Sequence, residues 1–419
     1  MNKFLGYLYI VLLNILAPFV AVIYVLWFLL SARRGLLKNL NKELKERFVA
    51  YNVDGFEGCI WVHASSAGEV LAIKQFLALI NQNFPNRKIL VTTTTALGKK
   101  IAKDKLNNLH NIKTIIAPLD FAPLIYRFTK IFKPHALIII EKELWPNMIL
   151  GAKSSGSKVI LANANMSARS FKKYKLVKPM FKILFSKVDG ASFQNKAVQS
   201  RFKELGLTTK KQKVLGNIKY DNLEESPKTL DILKILNWQD KQILTCGSTH
   251  QQEEEIIFKA TQNLNLKTII APRHLERLPS ITKNLQEIGL NFALLSQVQA
   301  KIIGKEPQVL IADKIGYLSS LYDMSNICFV GGTIADKGGH NLLEPAILGK
   351  PLIFGKNTYN LKDIAKDLEK NGAKIVDKNN FETTIKNINS NSADKIKQTA
   401  LKYKGVSKKS VNFIKEIIK

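Results

Sequence analysis

Cysteine is scarce and scattered. Cys59, Cys246 and Cys328 are odd in number and far apart. No C-x-x-C or mixed Cys/His cluster occurs, so neither a disulfide framework nor a structural zinc site is supported, and the pattern suits a reducing compartment. Carboxylates are few as well: 33 Asp and Glu stand against 63 Lys and Arg, a net charge of +30. Such an excess favours an anionic membrane surface, nucleic acid or an acidic substrate. Lys, Ile and Asn are used heavily everywhere, however, so compositional drift is an equal source of it. No aromatic nucleic-acid motif accompanies the charge, and no repeat of 20–50 residues or low-complexity tract is present. No DxD-like acid pair stands where it could hold a metal beside a nucleotide.

Charge is missing altogether from Phe4 to Leu30. As a helix this run would reach roughly 40 Å, long enough to cross a bilayer. Asn14 and Pro18 are its potential kinks, and its Tyr and Trp residues suit the interfaces. A cleaved signal peptide is the competing reading, but the run is too long for a typical apolar core and no small-x-small site follows. The basic flank "SARRGLLKNLNKELKER" argues that the rest of the chain stays on the cytoplasmic side. The run therefore reads as a membrane anchor, with an in-plane helix as the alternative.

Beyond it, short apolar runs alternate with helical patterns. Strands are predicted at 59–63, 88–93, 114–117, 136–140, 158–162 and 190–193, with helices at 69–81, 96–106 and 122–131. The pattern restarts with strands at 243–246, 266–271, 308–311, 327–330, 351–354 and 373–375. Such alternation predicts parallel sheets wound by helices. The polar stretch "GNIKYDNLEESPKTL" reads as a linker. The expected organisation is an anchor and basic flank over 1–36, one Rossmann-like domain over 37–220 and another over 221–419. A cleft would lie between the domains, and the last helix would be free to pack back on the first.

Ligands of such sheets bind beyond the carboxyl ends of the strands. "HASSAGEV" places Glu69 in a strand-to-helix turn, where a phosphate-binding loop would avoid an acid. "LIIIEKELWPNMI" puts Glu141 and Glu143 past an apolar strand. They read as a functional acid pair, or as partners of Lys142 or Arg127, or as a helix cap. In the second half, "GSTHQQEEE" suggests a helix opened by Gly247, Ser248 and Thr249, the hydroxyls serving as caps or as phosphate contacts. In "APRHLER", Arg273 suits a two-pronged anion contact, or a surface ion pair with Glu276 or Glu287. "FVGGTIADKGGHNLLEPA" combines Gly331–Gly332, Gly338–Gly339 and Glu344. It suggests backbone amides for a phosphate and a carboxylate for sugar hydroxyls. "SFKKYKLVKPMFKILFSK" reads as a basic apolar helix for an anionic lipid surface, or as a core helix with a solvated edge.

"HASSAGEV", "EKELWPNMI", "NANMSARS", "GNIKYD", "GSTHQQEEE", "APRHLER" and "GGTIADKGGHNLLEPA" together, in this order, resemble the bacterial 3-deoxy-D-manno-octulosonic acid (Kdo) transferases. The resemblance covers nearly the whole chain. It implies a GT-B fold, with donor CMP-Kdo in the C-terminal domain and acceptor lipid IVA in the N-terminal one. The expected reaction is an inverting transfer at the cytoplasmic face of the inner membrane, with anionic lipids as neighbours; lacking a DxD-like pair and a nucleic-acid motif, the chain is expected to use neither metal nor cofactor and to bind no nucleic acid. By the same resemblance Glu69 is the general base, and Glu141 and Lys219 stabilise the transition state. Pro272, Arg273, Ile315, Gly316, Tyr317, Asn341, Leu342, Leu343 and Glu344 contact CMP. Two departures stand out: Gly316-Tyr317 where the family commonly has Gly-Glu, and "SSAGE" where it has "SVGE". The rival readings are another GT-B enzyme using a UDP-sugar, and a basic membrane- or nucleic-acid-binding protein without catalysis.

Overall fold

The alternating apolar runs form two parallel sheets, seen in a computed structural model that describes residues 2–31, 40–50, 55–223 and 231–418. The chain divides into a first unit, 1–222 with 405–419, and a second unit, 223–404. The first contains, in order, α1 (Asn2–Ser31), α2 (Leu40–Arg47), β1 (Ile60–His63), α3 (Ala67–Ala72), α4 (Lys74–Asn83), β2 (Ile89–Thr93), α5 (Ala96–Leu106), β3 (Ile112–Ile116) and α6 (Ala122–Phe132). It continues through β4 (Ala136–Ile140), α7 (Pro146–Ser154), β5 (Lys158–Ala164), α8 (Ala168–Lys175), α9 (Lys178–Phe185), β6 (Gly190–Phe193), α10 (Lys196–Glu204) and β7 (Gln212–Val214). The sheet order is β3-β2-β1-β4-β5-β6-β7, so the winding direction reverses between β1 and β4.

Central strands are buried on both faces, which is why they read as continuous apolar runs. Trp61, Leu137, Ile139 and Leu161 face Phe128, Phe132 and Phe185. Their neighbours in sequence, Val62, Ile138 and Ile160, face Phe76, Leu77, Phe413 and Ile414. This period-two split sends one strand's residues into two cores. The expected helix over 69–81 is broken at Ile73, the last cap of α3 and first of α4. The basic run 170–187 is likewise two helices: α8 buries none of its side chains, whereas α9 buries Met180, Phe181, Ile183, Leu184 and Phe185. The core-helix reading thus holds for α9, whereas α8 is a basic helix on the surface.

The run from Phe4 to Leu30 lies within one helix, α1. Ile10 joins the core, and Gly6 passes so close to α9 that a Cβ would come within 2.6 Å of the Pro179 carbonyl oxygen. Among the described residues no helix is long and apolar enough to cross a membrane. Of the basic flank, residues 32–39 lie outside the described residues and Leu40–Arg47 form α2.

The second unit runs α11 (Ile232–Ile235), β8 (Ile243–Thr249), α12 (Gln251–Asn263), β9 (Lys267–Pro272), α13 (Leu278–Glu287), β10 (Phe292–Leu294), α14 (Leu295–Gln299), β11 (Val309–Ile311) and α15 (Leu318–Asp323). After these come β12 (Ile327–Val330), α16 (Leu343–Ile347), β13 (Leu352–Phe354), α17 (Lys362–Lys370), β14 (Lys374–Ile375), α18 (Phe381–Asn387) and α19 (Ala393–Leu401). Its sheet order is β10-β11-β9-β8-β12-β13-β14, reversing between β8 and β12. Residues 224–230 of the expected linker are not among the described residues.

The last helix, α20 (Val406–Ile418), returns to the first unit and buries Val411, Phe413, Ile414 and Ile417 there. Asp221 secures its start by accepting from the backbone N–H groups of Gly405, Val406 and Ser407. Asp221→Ala would leave these donors without their charged acceptor. It is expected to destabilise the first unit by about 2–4 kcal/mol in urea unfolding, with raised deuterium exchange over 405–418.

Candidate functional site

In the first unit, acids gather at the carboxyl ends of β1 and β4, on either side of the point where the sheet reverses. The turn after β1 is made by Ser66, extended as the N-cap of α3, and Gly68 lies inside the helix. Ser66 Oγ accepts from the Glu69 N–H at 3.3 Å, and the Ser65 N–H donates to Glu69 Oε2 at 2.7 Å. This is a reciprocal cap of the S-x-x-E kind, shifted back by one residue. It gives the acid a structural reason to stand in the turn and uses one carboxylate oxygen. The other oxygen has no hydrogen-bond partner among the described residues. Glu69 is buried, and burial pushes its carboxyl above the ordinary value. The Ser65 N–H opposes that shift, Glu141 and Glu143 add to it, and Lys219 lowers it.

Glu141 is buried at the end of β4, with φ 58 in the left-handed region. A non-glycine residue persists there only when its surroundings over-determine it. Its Oε1 lies 3.0 Å from Lys219 Nζ. Glu143 accepts from Trp145 Nε1 at 2.9 Å. Neither acid pairs with Lys142 or Arg127 among the described residues. His63 ends β1 nearby. Trp61 Nε1 donates to Thr92 Oγ1, and His63 Nδ1 lies 2.9 Å from the same hydroxyl oxygen. Burial lowers the His63 pKa to about 4, so the ring stays neutral.

In the second unit the expected phosphate loop is already filled. Glu253 is fully buried. Its carboxylate accepts from the main-chain N–H groups of Gly332, Thr333, Ile334 and Ala335 at 2.8–3.2 Å, and from that of His250 at 3.0 Å. The amides after Gly331 are therefore spent inside the protein, against the expectation that they would face a ligand. The cap of α12 is likewise His250, because β8 runs on through Thr249 instead of ending before Gly247. Glu254 binds Arg277 through both oxygens, at 3.2 and 2.6 Å.

What stays open around this core is cationic and imidazole-rich. Arg273 is exposed past the end of β9, its N–H donating to the Thr249 carbonyl oxygen. Its guanidinium pairs with neither Glu276, which meets His274 at 3.3 Å, nor Glu287, which meets Lys283 at 3.7 Å. His250 Nε2 and His340 Nε2 lie 2.9 Å apart, so a single proton is shared between them. Burial and its imidazole and guanidinium neighbours lower the His340 pKa to about 4. Asn341 Nδ2 donates to Glu344 Oε1 at 3.1 Å, and burial raises the Glu344 carboxyl.

A family model described as 3-deoxy-D-manno-octulosonic-acid transferase matches residues 42–222. The chain is 32% identical over 343 residues to the 3-deoxy-D-manno-octulosonic acid transferase of Haemophilus influenzae, covering 79% of each. It belongs to the Kdo transferase family. It is also 34% identical over 337 residues to a bifunctional glycosyltransferase/methyltransferase of Fusobacterium nucleatum subsp. nucleatum. That match covers 78% of this chain but only about half, 51%, of the relative. A glycosyltransferase structure from Rickettsia africae shares the fold, with TM-score 0.57 at 13% identity, covering 87% of this chain and 99% of that one. The fold class is thus two parallel-sheet α/β units with GT-B-like neighbours.

Against the family's pattern, the structure brings Glu69, Glu141 and Lys219 together in the first unit. In the second, Pro272 and Arg273 leave β9, while Asn341 and Glu344 bond to each other. Leu342 and Leu343 are core side chains and could meet a ligand only through their backbone. Ile315 is 87% exposed, Gly316 has φ 97, and Tyr317 is the half-buried cap of α15.

Two functional supports escaped sequence reasoning. Asn163, buried with φ 55, accepts from the Ile218 N–H through Oδ1 and so fixes the backbone beside Lys219. Its position in "NANMSARS" was visible, but its left-handed conformation was not. The second is the Glu69 cap, whose signal in the sequence is the S-x-x-E spacing. Glu253→Gln keeps the size of the side chain but turns an N–H₂ toward backbone donors. It is expected to lower the stability of the second unit by about 2–4 kcal/mol, measured by its thermal transition.

Proposed function

We propose that the chain transfers Kdo from CMP-Kdo to lipid IVA, with inversion at the anomeric carbon. The observation that carries this reading is Glu69: buried, with one oxygen held by Ser65 and the other uncommitted, beside the Glu141–Lys219 pair. In the reaction the glycosidic carbon–oxygen bond to phosphate breaks, and its electron pair leaves with CMP. The glucosamine hydroxyl attacks from the opposite face and gives its proton to Glu69. Lys219 and Glu141, 3.0 Å apart, stabilise the oxocarbenium-like centre together. Arg273 takes the charge growing on the departing phosphate. Asn341, Glu344, Pro272 and the 315–317 segment hold the cytidylate. These cations stand in for a divalent ion, so turnover should be unchanged in EDTA.

Because burial outweighs the Ser65 bond, Glu69 titrates above an ordinary glutamate. A base must be ionised to work. The acid limb of kcat/KM should therefore lie above pH 4.5, with activity lost as pH falls through it. Glu69→Ala is expected to lower kcat by about 10²–10⁴ with CMP-Kdo binding retained. An undiminished rate in the folded variant removes Glu69 from the mechanism. Mass spectrometry of the product formed from CMP-Kdo and lipid IVA tests the reaction itself. Inhibition by UDP in place of CMP favours the rival UDP-sugar enzyme.

The acceptor is a lipid, and three features support its delivery at an inner-membrane surface facing the cytoplasm. The outer side of α1 exposes Phe4, Tyr7, Val11, Ile15 and Phe19. A cavity of about 360 Å³ between α1 and Phe48, Leu119, Phe121 and Leu124 suits an acyl chain. The exposed α8 carries Lys172, Lys173 and Lys175 beside exposed Leu176. Lys175 pairs with Glu204 at 2.6 Å, and Lys172 and Lys173 beside it suit anionic headgroups. Replacing them with Gln should weaken binding to anionic vesicles more than activity on detergent-dispersed acceptor; equal loss in both overturns the membrane role.

A further inference from the structure

Asn14 is the only amide side chain between Phe4 and Leu30, and it does not face outward to no purpose. Its Oδ1 accepts from the Ala122 N–H at 2.9 Å, the first free amide of α6. Its Nδ2 donates to Asn147 Oδ1 at 3.0 Å and to the Ile10 carbonyl oxygen at 2.9 Å. Asn147 in turn donates through Nδ2 to the Asp120 carbonyl oxygen at 2.6 Å. The Asp120 carboxylate accepts from the Asn147 and Met148 N–H groups at 3.0 and 2.7 Å. Neither α6 nor α7 has a capping side chain of its own, since Phe121 and Trp145 occupy the N-cap positions. The caps come instead from α1 and from Asp120, and Asn147 joins the two.

This network ends where the acid cluster begins. Trp145 is the N-cap of α7 and binds Glu143, and the left-handed Glu141 opens the same segment. Apolar contacts such as Ile10 in the core and Gly6 against Pro179 would hold α1 in place without any amide. The amide adds register: it allows only one position of α1 relative to the first turns of α6 and α7.

We propose that Asn14 is a positioning residue, through which α1 fixes the first turn of α7 and with it the Glu141–Trp145 segment beside Glu69. The proposal rests on the role given to Glu69 above. The groups facing Glu69 are Glu141 and Glu143 from this segment, Lys219 from the 3-10 turn at 218–222, and the Ser65 amide. The two acids raise its pKa, so loosening their segment lowers it.

The test uses the full-length chain in detergent with Asn14→Leu and, cutting the same link from the other end, Asn147→Ala. Deuterium exchange should rise over 120–124 and 141–150 and stay unchanged over α9, which holds α1 by apolar contacts. Turnover should fall ~10- to 100-fold with the KM for CMP-Kdo unchanged, as expected for misplaced catalytic groups. The acid limb of the rate profile should move to lower pH. Exchange that is unchanged over 141–150, or that rises equally over α9, overturns the proposal, as does an acid limb that stays put while turnover falls. If the wild-type chain transfers no Kdo, the reading of the site fails, and the exchange pattern alone still decides whether Asn14 sets the segment.

Discussion

The second unit depends on one carboxylate. Glu253 sits fully out of water and is surrounded by five main-chain N–H groups, four of them successive along the loop after β12. An ion in such a place is tolerable only because these dipoles replace its lost hydration. The bond set ties the start of α12 to the end of β12, two elements at the point where the sheet reverses. It also settles which surface is left for a ligand. The loop amides are consumed, while Arg273 stays exposed past the end of β9.

The same device recurs elsewhere in the chain. Asp221 grips the amides that begin the last helix, and Asp120 grips those that begin α7. In a protein with nearly twice as many cations as anions, several carboxylates are thus bound to backbone dipoles and not to lysine. The acids of the first unit's cluster are treated differently. Glu69 has one oxygen uncommitted, and Glu141 meets a half-exposed lysine in place of amides. For Glu69, burial with one oxygen uncommitted raises the carboxyl above its ordinary value.

Much of the fold was legible. Strands 136–140 and 327–330 stand where their apolar runs predicted, because strands buried on both faces need unbroken apolar sequence. The edge strands β7 and β10 were not legible, being three residues each with half-exposed or exposed side chains among them. The break at Ile73 was hidden too, since the apolar periodicity continues across it. At the site, the residues themselves could be named from motifs. Their state could not: Glu141 is left-handed, and the Asn163 brace beside Lys219 and the Asn14–Asn147–Asp120 chain join residues 27 to 133 positions apart.

By itself the sequence determined the two parallel sheets, the family and the candidate residues, because periodicity and local motif spacing are properties of neighbours along the chain. Only the tertiary structure decided which acids are spent and which remain available. Glu253 and Glu69 both follow a strand and both reach back to the turn before their helix. One meets a loop 79–82 residues away whose amides satisfy it fully, and the other meets a single amide and two more acids. That difference is made by what folding packs around each carboxylate, and no local pattern encodes it.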